Sequence, residues 1–213
     1  MTMQIDLLSY AQIMSAIYSD DSAPTWQNEL KTFHGFLRES PDGLPIVVVE
    51  GTTDLLEWMV DIFCVEVPVA TYRDLGFVHA GMMADVLSVI DQIEAEIRTS
   101  GKQFRLVGHS KGAGEALLLA GALKNRGLPP SQVIALEAPR IATTDLQAYL
   151  ADIDIVQTMT RNVHGSDIIC QVPFGPTYVD MRAPQILPVP DSFDIPTKHR
   201  IAGVLAGLGG ADR

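Results

Sequence analysis

The pentapeptide Gly108-His109-Ser110-Lys111-Gly112 and its flanks constrain the fold more than any other feature of this chain. Before it stands Phe104-Arg105-Leu106-Val107, a short, largely apolar run suited to a buried strand. After it, residues 112–125 carry apolar side chains at helical spacing until Gly127 and Pro129-Pro130 stop them. The same alternation recurs. Ile46-Val47-Val48-Val49 closed by Gly51, Val133-Ile134-Ala135-Leu136 and residues 155–163 read as strands, and 86–99 as a helix. A β-α-β-α order of this kind predicts an α/β fold with a mostly parallel central sheet and helices on both faces.

Two outlying stretches fit that plan as accessories. The first 40 residues read as helical segments, broken by Asp20-Asp21-Ser22-Ala23-Pro24 and packed on the flank of the sheet. Residues 184–196 hold Pro184, Pro188, Pro190 and Pro196, which deny a regular helix or a central strand and leave a constrained loop leading to His199. At 213 residues, 47% hydrophobic and 19% charged, residues 1–213 read as one folded domain with a sizeable core. The net charge of −11 opposes nucleic acid and anionic membranes, since Lys124-Asn125-Arg126 and Lys198-His199-Arg200 are too small to reverse the field. Cys64 and Cys170 are too few for a stapled scaffold and are expected as free, mostly buried thiols. The first residues lack a basic segment followed by a long apolar run, and no stretch long enough for a membrane span follows. The expectation is a soluble protein, cytoplasmic or released without a signal peptide of the usual kind.

The chemistry centres on Ser110. A turn joining strand to helix this tightly is strained, and glycines two before and two after the serine remove side chains that would strike neighbouring backbone. The helix start then aims its free amide N–H groups at the serine oxygen and at a developing oxyanion. His109 is adjacent in sequence, but in such a turn it faces away from Ser110 and is expected to pack.

Several further segments, in order, agree with this reading. They are Val48-Val49-Glu50-Gly51-Thr52, Trp58-Met59-Val60-Asp61, Val78-His79-Ala80-Gly81, Ala138-Pro139-Arg140 and Val163-His164-Gly165-Ser166-Asp167-Ile168-Ile169. Together with the Ser110 turn, they resemble the class 3 (fungal-type) lipase family of the α/β-hydrolase superfamily over roughly residues 44–200. The resemblance implies an α/β-hydrolase fold, a Ser-Asp-His order of catalytic groups and hydrolysis of a carboxylic ester through an acyl-enzyme.

A serine hydroxyl needs a histidine to take its proton and a carboxylate to fix that histidine's tautomer. Asp167 follows a strand-like run and a Gly-Ser turn, which places it at the carboxyl end of the sheet. Of the histidines beyond Ser110, His164 lies too close to Asp167 on the same strand end to bridge it to the serine, whereas His199 follows the proline-rich stretch, where the resemblance also expects the base. Asp180, Asp191 and Asp194 stand as alternative acids. The backbone N–H of Lys111 is one candidate oxyanion donor, and the resemblance implies the second, the amide and hydroxyl of Thr52, which match the family's Ser/Thr at that turn. No metal or organic cofactor is implied.

Lys111 departs from the family pattern, which usually has an apolar residue there. An ammonium group facing the acyl channel would disfavour long chains, so a polar or short-chain ester, of about two to eight acyl carbons, is expected. Leu55, Trp58, Met59 and Ile62 fall on one face of a helical segment and Asp54, Glu57 and Asp61 on the other, giving an amphipathic helix over residues 53–66 that is either a lid, as the resemblance suggests, or a permanently packed helix. The partner expected is a small-molecule or lipid ester. An acyltransferase or thioesterase with the same triad, and a catalytically silent binding protein of the same fold, remain the alternative readings.

Overall fold

The β-branched runs become the middle of one sheet. In chain order the computed structural model has α1 (Leu7–Tyr18), β1 (Trp26–Gln27), β2 (His34–Glu39), β3 (Pro45–Val49), β4 (Glu66–Pro68), β5 (Phe77–His79), α2 (Ala80–Ser100), β6 (Arg105–His109), α3 (Lys111–Asn125), β7 (Gln132–Leu136), α4 (Thr144–Tyr149), β8 (Asp154–Asn162), β9 (Gly165–Ser166), β10 (Gln185–Pro188), α5 (Ile195–His199) and α6 (Ile201–Gly207). It describes residues 6–19, 22–51, 66–68, 72–172 and 178–209. The main sheet runs β1-β2-β3-β6-β7-β8-β10, parallel from β3 to β10 and antiparallel at β1-β2-β3, with β9 paired antiparallel to β8. β4 and β5 form a separate antiparallel pair.

The continuous apolar runs are explained by burial on both faces. Val47, Val49, Leu106, Val133 and Ala135 join the core beneath α2 and α3, while their neighbours Ile46, Val48, Val107, Ile134 and Leu136 join a second core beneath α1 and α6. Side chains alternate across a strand, so every position must be apolar when both faces are covered. The mostly parallel sheet with helices on both faces expected from sequence is the one observed.

The chain departs from expectation at its two outlying stretches. Among the described residues of the first 40 only α1 is helical, and β1 and β2 extend the sheet beyond β3, with Gly35 opposite Val49 and Glu39 opposite Pro45. The cause is a hairpin. Ser40 N–H donates to Leu44 O at 2.8 Å and Gly43 takes φ 79°, a turn that Pro41-Asp42-Gly43 encodes and that pairs β2 with the otherwise bare edge of β3. The proline-rich loop likewise contains a strand: β10 pairs parallel with β8 from Gln185 opposite Thr158 to Pro188 opposite Arg161. It is tolerated because it lies at the edge of the sheet, where a missing N–H need not break a ladder.

Cys170 is buried and free, and Cys64 lies outside the described residues. The amphipathic 53–66 segment also falls outside them, apart from Glu66 at the start of β4. Among the described residues no helix is long and apolar enough to cross a membrane.

Candidate active site

Ser110 sits between β6 and α3 with φ 56° and ψ −128°. A non-glycine residue in this region costs on the order of 1–3 kcal/mol and persists only where its surroundings impose it. Here Ser110 N–H donates to Leu136 O at 2.9 Å, and Ser110 O accepts from Ala113 N–H at 2.9 Å. The flanking glycines are required by contact. A Cβ on Gly108 would lie 2.3 Å from Gly112 O, and one on Gly112 would lie 2.3 Å from Val49 O. The spacing read in the sequence is thus the condition for packing the turn against its own helix and against the end of β3.

His199 Nε2 lies 2.7 Å from Ser110 Oγ, and His199 Nδ1 lies 2.5 Å from Asp167 Oδ2. Ile169 N–H donates to the other oxygen of Asp167 at 3.0 Å, so the carboxylate cannot rotate freely. The three groups come from separate elements: the β6–α3 turn, the residue after β9 and the end of α5. α5 is set in place by its cap, Asp194, which accepts from Thr197 N–H at 2.9 Å, and by Thr160 Oγ1, which donates to Lys198 O at 3.0 Å. Ser110, Asp167 and His199 are all buried. Burial pushes the Asp167 carboxyl up, but the bond and electrostatic attraction to His199 and the bond from Ile169 N–H together hold it below its ordinary value.

The rejected alternatives are elsewhere. His164 is exposed. Asp180 pairs with Arg140 at 3.5 Å, Asp191 accepts from Val163 N–H, and Asp194 caps α5. A surface cleft of about 450 Å³ lined by Arg161, Val163, Ile186 and Asp191, among others, contains none of the three juxtaposed groups.

His109 faces away from Ser110, as expected, but it does more than pack. Gly51 N–H donates to Tyr18 Oη at 3.1 Å, Tyr18 Oη lies 2.8 Å from His109 Nδ1, and His109 Nε2 lies 2.9 Å from His199 O. Because the carbonyl can only accept, Nε2 carries the proton and Tyr18 donates to Nδ1. A neutral ring satisfies this chain, and burial first, then the neighbouring His199, push the His109 pKa down to about 3. Tyr18, on α1, thereby ties the turn after β3 to the backbone of His199, a role that the sequence of that helix did not announce.

Lys111 contradicts the expectation placed on its side chain. The ammonium does not face an acyl channel: Nζ donates to Thr32 O at 2.7 Å, to Asp85 at 2.8 Å and to the carboxyl of Glu115. Lysine stems can carry their charge away from an apolar site, and buried carboxylates attract it. Burial pushes the Glu115 carboxyl up to about 8 against the pull of Lys111, while burial opposes and the charges of Glu115 and Asp85 favour the ammonium, which is held above its ordinary value. Lys111→Met should therefore act on stability rather than specificity. It leaves Asp85 partly buried without its cation and should cost about 3–5 kcal/mol, read by denaturant unfolding, while the ester chain-length preference of the folded fraction stays unchanged. A shift of preference towards longer chains, with stability intact, would return the charge to the channel. The other candidate oxyanion residue, Thr52, lies outside the described residues.

Of two buried groups behind Asp167, Glu137 escaped the sequence reading and Cys170 was expected only as a buried free thiol. Glu137 and Cys170 place their oxygen and sulfur within 4.8 Å of the liganding atoms of Asp167 and His199. A cation among them would have to take His199 Nδ1 from Asp167, so the group is a hydrogen-bonded unit. The signal that could have exposed Glu137 is its position immediately after a buried run, at the carboxyl end of a parallel strand, where α/β sheets gather their functional groups.

Comparison with known proteins agrees with the fold. Residues 46–176 match the family model for lipase (class 3). Among solved structures, the triacylglyceride lipase of Rhizomucor miehei is 18% identical with a TM-score of 0.68 over 90% of this chain and 82% of its own. A triacylglycerol lipase from Penicillium expansum is 18% identical with a TM-score of 0.69 over 85% and 78%. A mutant form of MDLA from Penicillium cyclopium is 19% identical with a TM-score of 0.65 over 82% of this chain but only 66% of its own length. Comparison with curated protein sequences gives no match.

Proposed function

Since the chain belongs to the class 3 lipase family, we propose that it hydrolyses carboxylic esters of lipid type, with Ser110 as nucleophile, His199 as general base and Asp167 as the acid that orients it. The observation that carries this reading is the uninterrupted hydrogen-bonded line from Asp167 through His199 to Ser110 Oγ at 2.5 and 2.7 Å. His199 Nδ1–H donates to Asp167, which leaves Nε2 free to accept the serine proton. Ser110 Oγ then attacks the ester carbonyl. The negative charge that develops on the carbonyl oxygen meets the N–H of Lys111, one of the amides that the first turn of α3 leaves unpaired, and Thr52 is the proposed second donor. His199 returns the proton to the departing alcohol, and a water molecule, activated in the same way, releases the acid.

The position of the Lys111 ammonium removes the sequence-based ground for a short-chain preference, and acyl length is left to the apolar surface that the chain meets. Each buried methylene contributes about 0.8 kcal/mol, so a lipase-like channel shows itself as a rise in kcat/KM with chain length until the channel fills. The direct test is a fluorophosphonate probe followed by peptide mapping, combined with hydrolysis of p-nitrophenyl esters of graded chain length. Labelling confined to Ser110, with release of free acid, is the expected result. An unlabelled but folded protein that binds esters without turnover would make this a binding protein of the same fold.

A further inference from the structure

Glu137 is an unusual residue to find behind an oriented carboxylate. It follows β7 directly, has φ 53° and is fully buried, and among the described residues no Lys or Arg forms an ion pair with it. Its oxygens accept from Thr158 Oγ1 at 3.0 Å and from Thr160 N–H at 3.0 Å. The Cys170 thiol spans the gap to the triad, with Sγ 3.5 Å from Glu137 Oε2 and 3.4 Å from Asp167 Oδ2. The titratable groups facing Glu137 are thus Asp167, Cys170 and His199. Lys198, although buried, turns its ammonium to Asn162 Oδ1 and Gly165 O.

Two carboxyl groups this close, shielded from water, do not both ionise. Asp167 has the stronger claim to the negative charge, because His199 donates to it on one side and Ile169 N–H on the other. We propose that Glu137 is a positioning residue of the hydrolytic site: it keeps its proton, shares it with Asp167 from behind, and so holds the triad carboxylate against His199. The proposal rests on the triad reading above. The environment agrees with it. Burial first, and then the charge of Asp167, push Glu137 up to about 8, and burial, with those two carboxyls, raises the Cys170 thiol well above its ordinary value, so that it stays a neutral S–H.

A proton held in this way can be lost. Above about pH 8 the ionised Glu137 would cease to donate and would repel Asp167, loosening its hold on His199. The amide of glutamine keeps a donor and never ionises. The experiment is kcat and KM against pH for the wild type, Glu137→Gln and Glu137→Met, using one p-nitrophenyl ester under conditions where chemistry limits the rate. The expected outcome has three parts: the wild type loses kcat above about pH 8, Glu137→Gln stays within about threefold near neutrality without that decline, and Glu137→Met falls about tenfold or more in kcat with KM little changed. A Glu137→Gln profile declining in parallel with the wild type, or a Glu137→Met protein with undiminished kcat, would overturn the proposal.

Stability gives a second reading that does not depend on activity. The unfolded chain releases this proton near the ordinary carboxyl value of 4.5, whereas the native protein retains it to about 8, so the native state binds the extra proton between them. The wild type should therefore lose Tm relative to Glu137→Gln as pH rises through that window, and the difference should level off above it. Parallel Tm curves would sink the idea. Fluorophosphonate labelling separates the two hypotheses: a wild type that fails to label at Ser110 removes the triad reading itself, while a labelled wild type with parallel profiles removes only the role of Glu137.

Discussion

Replacing Ser110 with alanine is expected to lower kcat by about 10⁴-fold or more while leaving the protein folded. Among the described residues the hydroxyl makes one side-chain bond, to His199 Nε2 at 2.7 Å, and the turn is held by main-chain bonds to Leu136 and Ala113 that alanine retains. Alanine also keeps the Cβ, so the strained φ of 56° costs it about what it costs serine. What disappears is the oxygen that His199 Nε2 contacts, and any remaining rate is then expected from water attacking an ester still bound near the Lys111 N–H. The measurement is p-nitrophenyl ester turnover beside a thermal unfolding curve. A folded variant that keeps a hundredth or more of the activity would assign the nucleophile elsewhere.

How much of this could be read beforehand depended on whether the information was local. The Ser110 turn was legible because its requirements are satisfied within five residues: Gly108 and Gly112 are demanded by contacts with the backbone of the turn and of β3. The parallel core was legible because Ile46-Val47-Val48-Val49 is apolar at every position, as burial on both faces requires. β2 was missed because His34-Gly35-Phe36-Leu37-Arg38-Glu39 has no strict alternation and becomes a strand only by pairing with β3 through the turn at Pro41-Asp42-Gly43. β10 was hidden by prolines that only an edge strand tolerates. Lys111 misled for a related reason. Its place in the chain fixes its backbone N–H, but its long side chain reaches Asp85, which is on a different helix and 26 residues away in sequence. Glu137 and Tyr18 matter through partners more than 20 residues distant, and although its place after a buried strand singles out Glu137, nothing adjacent to either residue names those partners.

Asp167→Asn is expected to lower kcat by about 10³ to 10⁴-fold with little change in KM, and the reason lies in the second contact of the carboxylate. Ile169 N–H donates to one side-chain oxygen at 3.0 Å while His199 Nδ1 occupies the other at 2.5 Å. An asparagine has one oxygen to offer. If it stays with Ile169, the amide NH₂ faces His199 Nδ1, which must then accept. The ring's proton is forced onto Nε2, the atom that has to receive the proton of Ser110. If the amide flips, His199 regains an acceptor but the buried Ile169 N–H faces a donor and loses its partner, a cost of about 1–3 kcal/mol. The first arrangement is therefore favoured, and the base is held in the wrong tautomer with its position unchanged. The prediction separates orientation from binding: kcat and fluorophosphonate labelling of Ser110 should fall together, while KM and Tm move little. Asn substitutions at Asp180, Asp191 and Asp194, whose side chains bond to Arg140, Val163 N–H and Thr197 N–H, should leave kcat within a few-fold of the wild type. Loss of activity in one of those three, with Asp167→Asn unimpaired, would transfer the role of the acid to that residue.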